Sequence, residues 1–123
     1  MKNSPSPSKL IWFPRILAIL FLLFLMIFSF DVFEIPGTPL EKMAGFLIHN
    51  LPSIIMAAIL AVFWRNPLLS GVAFLIYAII FTLFFRIILQ GWDIFVYLTL
   101  PILLIAALFL VVHRRQSRPP QPE

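Results

Sequence analysis

The chain has 123 residues, of which 62% are hydrophobic and 11% charged. Soluble domains usually carry about 25% charged residues, and so short a domain cannot hide this much apolar surface in one core. A soluble globular enzyme fits poorly, and the natural solvent is a bilayer. The net charge is +4, but the basic residues flank apolar runs instead of forming a stripe with stacking aromatics. Topology and anionic headgroups explain them better than nucleic acid does. Cysteine is absent and there are two histidines. That excludes disulfides and a cysteine nucleophile and argues against a conventional zinc site.

Residues 1–9 are polar, contain Pro5 and Pro7, and read as a disordered cytoplasmic tail. Lys2, Lys9 and Arg15 precede an apolar stretch as in a signal peptide. No small-residue cleavage site follows, and Ile27 to Phe33 is bulky apart from Ser29 and Asp31, so an uncleaved first membrane helix is expected over about 11–33. Trp12 suits the headgroup level, and Pro14 the first helical turn. The uncharged core of this helix, Ile16 to Phe30, rises only about 22 Å and needs its flanks to span.

Asp31 to Met43 is the longest polar connection. Thr38-Pro39-Leu40-Glu41 is a capping-box pattern, which predicts a second helix over about 39–65. Asn66-Pro67 provides an N-cap and first-turn proline for a third helix over about 67–89. Gln90-Gly91 is the expected stop. The fourth helix is expected over about 93–113, followed by a disordered basic tail, 114–123. The predicted architecture is all-α: an integral membrane domain, 10–113, of four transmembrane helices in an up-down bundle. Lys2, Lys9, Arg15, Arg65, Arg114, Arg115 and Arg118 fall on one side and Lys42 and Arg86 on the other. That bias predicts both termini in the cytoplasm and residence in the cytoplasmic membrane.

The segment with most chemistry is Leu47 to Ser53. His49 lies ten residues beyond Pro39, roughly 15 Å along the helix, where an ionisable group normally faces protein or water. Gly45, His49, Ser53, Ala57 and Ala61 recur every four residues, predicting one packing ridge of small residues with His49 pointing inward. Pro52 leaves the Ile48 carbonyl without its usual donor, so a neighbour or water must satisfy it. The antiparallel order also brings Asp31, His49, Arg86, Asp93 and Tyr97 toward one outer polar cluster, with Asp31 accepting from His49 and Arg86 pairing with Asp93. The plain alternative is that the histidine fixes packing and the charges are headgroup anchors. Arg15 and Arg65 read as topology anchors, and His113 as interfacial.

No P-loop, Gly-x-Gly-x-x-Gly, Gly-x-Ser-x-Gly or His-Glu-x-x-His occurs, and no acid lies mid-span. No catalytic residue, cofactor or metal is therefore expected. The segments Trp12-Phe13-Pro14-Arg15-Ile16, Asp31-Val32-Phe33, Phe46-Leu47-Ile48-His49-Asn50-Leu51-Pro52, Phe63-Trp64-Arg65 and Gly71-Val72-Ala73-Phe74 resemble a group of small prokaryotic four-helix membrane proteins of unknown function. The resemblance covers most of 10–112, and the His-x-x-Pro segment is its distinctive part. It implies the four-helix fold and no activity. Small multidrug exporters share the length, but their mid-membrane glutamate in helix one has no counterpart between Ile16 and Phe30. The expected role is a non-enzymatic membrane component that packs against itself or a membrane-protein partner within the lipid bilayer. The alternative is an oligomeric proton-linked transporter or channel subunit using His49.

Overall fold

The computed structural model describes residues 7–86 and 90–118. Residues 1–6 and 119–123 of the expected tails, and 87–89 of the expected third helix, lie outside the described residues. Among the described residues, four helices are long and apolar enough to cross a membrane, and no strand occurs.

The first long helix, α1 (Trp12–Phe28), carries Pro14 in its first turn and tightens into a 3-10 helix over Ser29–Glu34. Pro36 sets the end, because the residue before a proline is pushed out of the helical region. Ile35 is accordingly extended, at φ −78 and ψ 133. The combined span is 23 residues, about 37 Å with the steeper rise of its 3-10 turn, so the flanks do extend the short apolar core.

The second helix, α2 (Pro39–Val62), opens on the expected capping box. The Thr38 backbone N–H donates to Glu41 Oε2 at 2.9 Å, and Glu41 N–H donates to Thr38 Oγ1 at 3.2 Å. The third, α3 (Pro67–Phe84), is capped by Asn66, whose side chain accepts from Leu69 N–H at 3.1 Å. It ends earlier than 89, because the chain turns at Arg86 with φ 50. An L-residue held there costs roughly 1–2 kcal/mol, so the stop is not supplied by Gly91 alone, whose φ is 136. Gln90 Nε2 donates to the Phe85 carbonyl at 2.7 Å and so caps this end.

The fourth helix starts with a turn at Trp92–Ile94, widens into a π turn over Phe95–Thr99, and continues as α4 (Leu100–Ser117). Pro101 cannot donate to the Tyr97 carbonyl, and a π turn beside a proline is a usual way to absorb the lost bond. Two tail expectations are corrected. Arg114 to Ser117 continue α4, and Pro7–Leu10 form a helical turn that touches α4.

Each long helix touches its neighbours in sequence, and α1 touches α4. The tightest seam is α3 on α4. Phe74 and Phe109 stack with centroids 5.8 Å apart and planes 5° from parallel. Gly71 permits this approach, since a Cβ there would lie 2.7 Å from Leu110 Cδ2 and 3.2 Å from the Ala106 carbonyl oxygen. Ala18, Met56, Ala78, Ile102 and Ile105 complete the centre. Many large apolar side chains point outward instead, among them Phe13, Ile27, Ile48, Ile80, Leu83 and Phe84. A soluble monomer rarely exposes apolar patches above a few hundred Å².

Candidate functional site

Three groups of polar side chains are candidates: one inside the helical assembly, one at the end carrying the termini, and one at the opposite end. The interior group follows the buried face of α2, which runs Asn50, Ser53, Met56, Leu60. Steps of three and four keep to one face of a 3.6-residue helix, whereas repeated steps of four drift roughly 40° each. This corrects the expected ridge. Gly45 does face α1's extension, where an added Cβ would meet Val32 Cγ1 at 2.8 Å, and Ser53 donates to the Leu22 carbonyl at 3.3 Å. Ala57 and Ala61 have rotated out and are exposed.

His49 is exposed as well, not inward-facing. Its Nδ1 lies 2.9 Å from the Gly45 carbonyl of its own helix. A carbonyl can only accept, so Nδ1 carries the proton, and in the neutral ring Nε2 presents a lone pair outward. The adjacent Asn50 is the inward polar residue. Its Nδ2 donates to the Phe46 carbonyl at 3.0 Å, and its buried Oδ1 has no partner.

The proline kink is served differently from expectation. The hydroxyl of Tyr77 on α3 donates to the carbonyl of Pro52 itself at 3.0 Å; the expected acceptor was Ile48. A third cross-link joins α3 to the π turn. Thr82 Oγ1 lies 2.7 Å from the Ala78 carbonyl and 2.9 Å from Thr99 Oγ1. One hydroxyl has one proton, so Thr82 donates to Ala78 and Thr99 donates to Thr82. A shallow apolar groove of about 230 Å³ opens beside this pair, lined also by Phe95 and Leu103. Neither Tyr77 nor the threonine pair was singled out in the sequence as a cross-link.

At the end carrying the termini, Arg15 is buried, with 8% of its surface exposed. It donates from Nη2 to the Trp64 carbonyl at 2.6 Å. Its guanidinium carbon sits 4.0 Å from the Trp64 ring centre and 5.1 Å from that of Trp12, and the two indoles meet edge to face at 5.8 Å. The expected topology anchor is thus a latch between the start of α1 and the end of α2. Arg65 is exposed. Ser70 Oγ donates to the Phe63 carbonyl at 2.8 Å, closing the α2–α3 turn.

At the opposite end the expected cluster does not assemble. Asp31, His49, Arg86, Asp93 and Tyr97 are all exposed. Among the described residues no hydrogen bond or ion pair joins any two of them. Asp31 sits in the 3-10 turn, and the Asp93 carboxylate folds back over its own turn, with Oδ1 2.6 Å from where a Gly91 Cβ would stand. Arg86 itself takes a left-handed φ of 50, which helix order alone does not reveal. Lys42 instead donates to the Phe33 carbonyl at 3.1 Å, tying α2 to the end of the first span. Among the described residues no three His, Asp or Glu side chains converge.

The polar side chains of the interior therefore join helices, through Ser53, Tyr77 and the Thr82–Thr99 pair. Compared with known families, residues 1–121 match one described as Domain of unknown function (DUF7670). No curated protein and no solved structure matches the chain.

Proposed function

The chain belongs to the DUF7670 family, whose function is unknown, and from its own residues we propose that it is a non-enzymatic component of the cytoplasmic membrane. In this reading it crosses the bilayer four times as an up-down bundle with both termini in the cytoplasm. It associates through α2 with a second copy or with another membrane protein. The supporting observation is the exposure of His49, about 15 Å along α2 from Pro39.

A lone imidazole acceptor in hydrocarbon is costly, and such groups face protein or a water-filled space. Of the four spans α2 is the least buried within the monomer. Ala57 and Ala61, exposed further along it, leave room for a second helix to approach. A helix laid on α2 would cover His49 and supply a donor to Nε2. The rival, a proton-linked channel or transporter subunit, needs the same association with His49 turned toward water.

Native mass spectrometry and crosslinking of the detergent-purified protein test this. His49→Ala and Ala57→Leu are expected to reduce the assembled fraction while each monomer stays folded. An assembled mass and copurifying proteins unchanged in both variants would refute association through α2. Flux of protons in proteoliposomes that depends on His49 would favour the rival.

A further inference from the structure

The basic end holds a second feature that helix association does not use. Val111, Arg114, Arg115 and Arg118 line a cleft of about 220 Å³. Their spacing of three, four and seven residues places them on one face of the last turns of α4. All three arginines are exposed. Every acid among the described residues, Asp31, Glu34, Glu41 and Asp93, lies at the far end of the molecule.

Three like charges crowded within one turn repel one another. The C-terminal end of a helix dipole offsets that only in part. An anion in the cleft would relieve the repulsion, and the guanidinium fork matches phosphate oxygens bidentately. Helical side chains lean toward the N-terminus, which here means back toward the apolar run of α4. The guanidinium groups are therefore carried to headgroup level, while Val111 continues into the hydrocarbon. Lys9, on the turn that touches α4, adds a further positive charge at this end.

We propose that the Arg114–Arg115–Arg118 cleft binds the phosphate of an anionic phospholipid whose acyl chains lie along α4 beyond Val111. The proposal rests on the membrane reading above but not on association through α2.

The test is lipid retention, followed by native mass spectrometry of the purified protein supplied with phosphatidylglycerol or phosphatidylcholine. Preferential retention of phosphatidylglycerol is expected, with loss of roughly fivefold per arginine removed in the series Arg114→Gln, Arg115→Gln and Arg118→Gln. Arg65→Gln, outside the cleft, is expected to keep the preference. Equal retention of the two lipids by the unaltered protein would overturn the proposal, as would a preference that survives the triple substitution. Displacement of phosphatidylglycerol by excess inorganic phosphate would assign the cleft to free phosphate and overturn the lipid. A protein that stays dissolved without detergent would fail the membrane reading instead, and so is distinguishable.

Discussion

The Arg15 guanidinium lies 4.0 Å from the centre of the Trp64 ring and, at the same time, donates to the Trp64 backbone carbonyl at 2.6 Å. One side chain thus uses both its face and its edge on one residue 49 positions away. The carbonyl falls just past the end of α2, where the helix dipole favours a cation. Replacement by Met should cost about 2 kcal/mol, from the lost charged hydrogen bond and a desolvated cation–π contact. Lys keeps the charge but not the planar fork, so Arg15→Lys should fall between. Thermal unfolding in detergent measures both; a Met variant as stable as the parent would show that the latch is not a stabilising contact.

Tyr77 spans α3 and α2 through one hydroxyl. Tyr77→Phe keeps the ring and removes only the donor to Pro52. Interhelical hydrogen bonds in such settings average about 0.6 kcal/mol and reach about 1.7. A loss in that range is expected in the same unfolding assay. No loss at all would mean that water serves the Pro52 carbonyl equally well.

The α3–α4 seam depends on Gly71. An alanine there must displace Leu110, a flexible side chain, but also presses on the Ala106 carbonyl, which is fixed backbone. Overpacking of this kind costs about 1–3 kcal/mol. Gly71→Leu should separate the two helices and lower recoverable folded protein sharply. Gly71→Ala without any measurable loss would contradict the close approach.

Thr82 and Thr99 form a chain of two donations ending on Ala78. Valine keeps the shape and removes the hydroxyl. In a double-mutant cycle Thr82→Val and Thr99→Val should be non-additive by about 0.6 kcal/mol or more. Strict additivity would deny the contact.

The helix starts were legible because they rest on local chemistry. Thr38, Pro39 and Glu41 lie within four residues of one another, Asn66 and Pro67 are adjacent, and each acts as its position suggests. The orientation of α2 was less legible. His49 and Asn50 are adjacent, and the choice of which one faces inward depends on where α1 and α3 stand. A four-residue repeat of small side chains pointed to His49; the packing chose Asn50. The outer cluster was inferred from depth alone. Depth does not fix azimuth, and helix order does not reveal the left-handed φ of Arg86. Arg15 resembled any interfacial arginine, since its partner is a backbone carbonyl and two rings, not an acid. The Trp12-x-x-Arg15 pair, with Trp64 just past the end of α2, was the available signal.

Cysteine accessibility tests membrane crossing and its direction together, because the chain has no native thiol. With Glu34→Cys and Ser117→Cys in separate variants, a membrane-impermeant maleimide applied to intact cells should label the first and leave the second untouched until the membrane is opened. Labelling of the Ser117 variant from outside would contradict the assignment of both termini to the cytoplasm, and equal labelling of both variants in a detergent-free soluble fraction would contradict membrane residence itself.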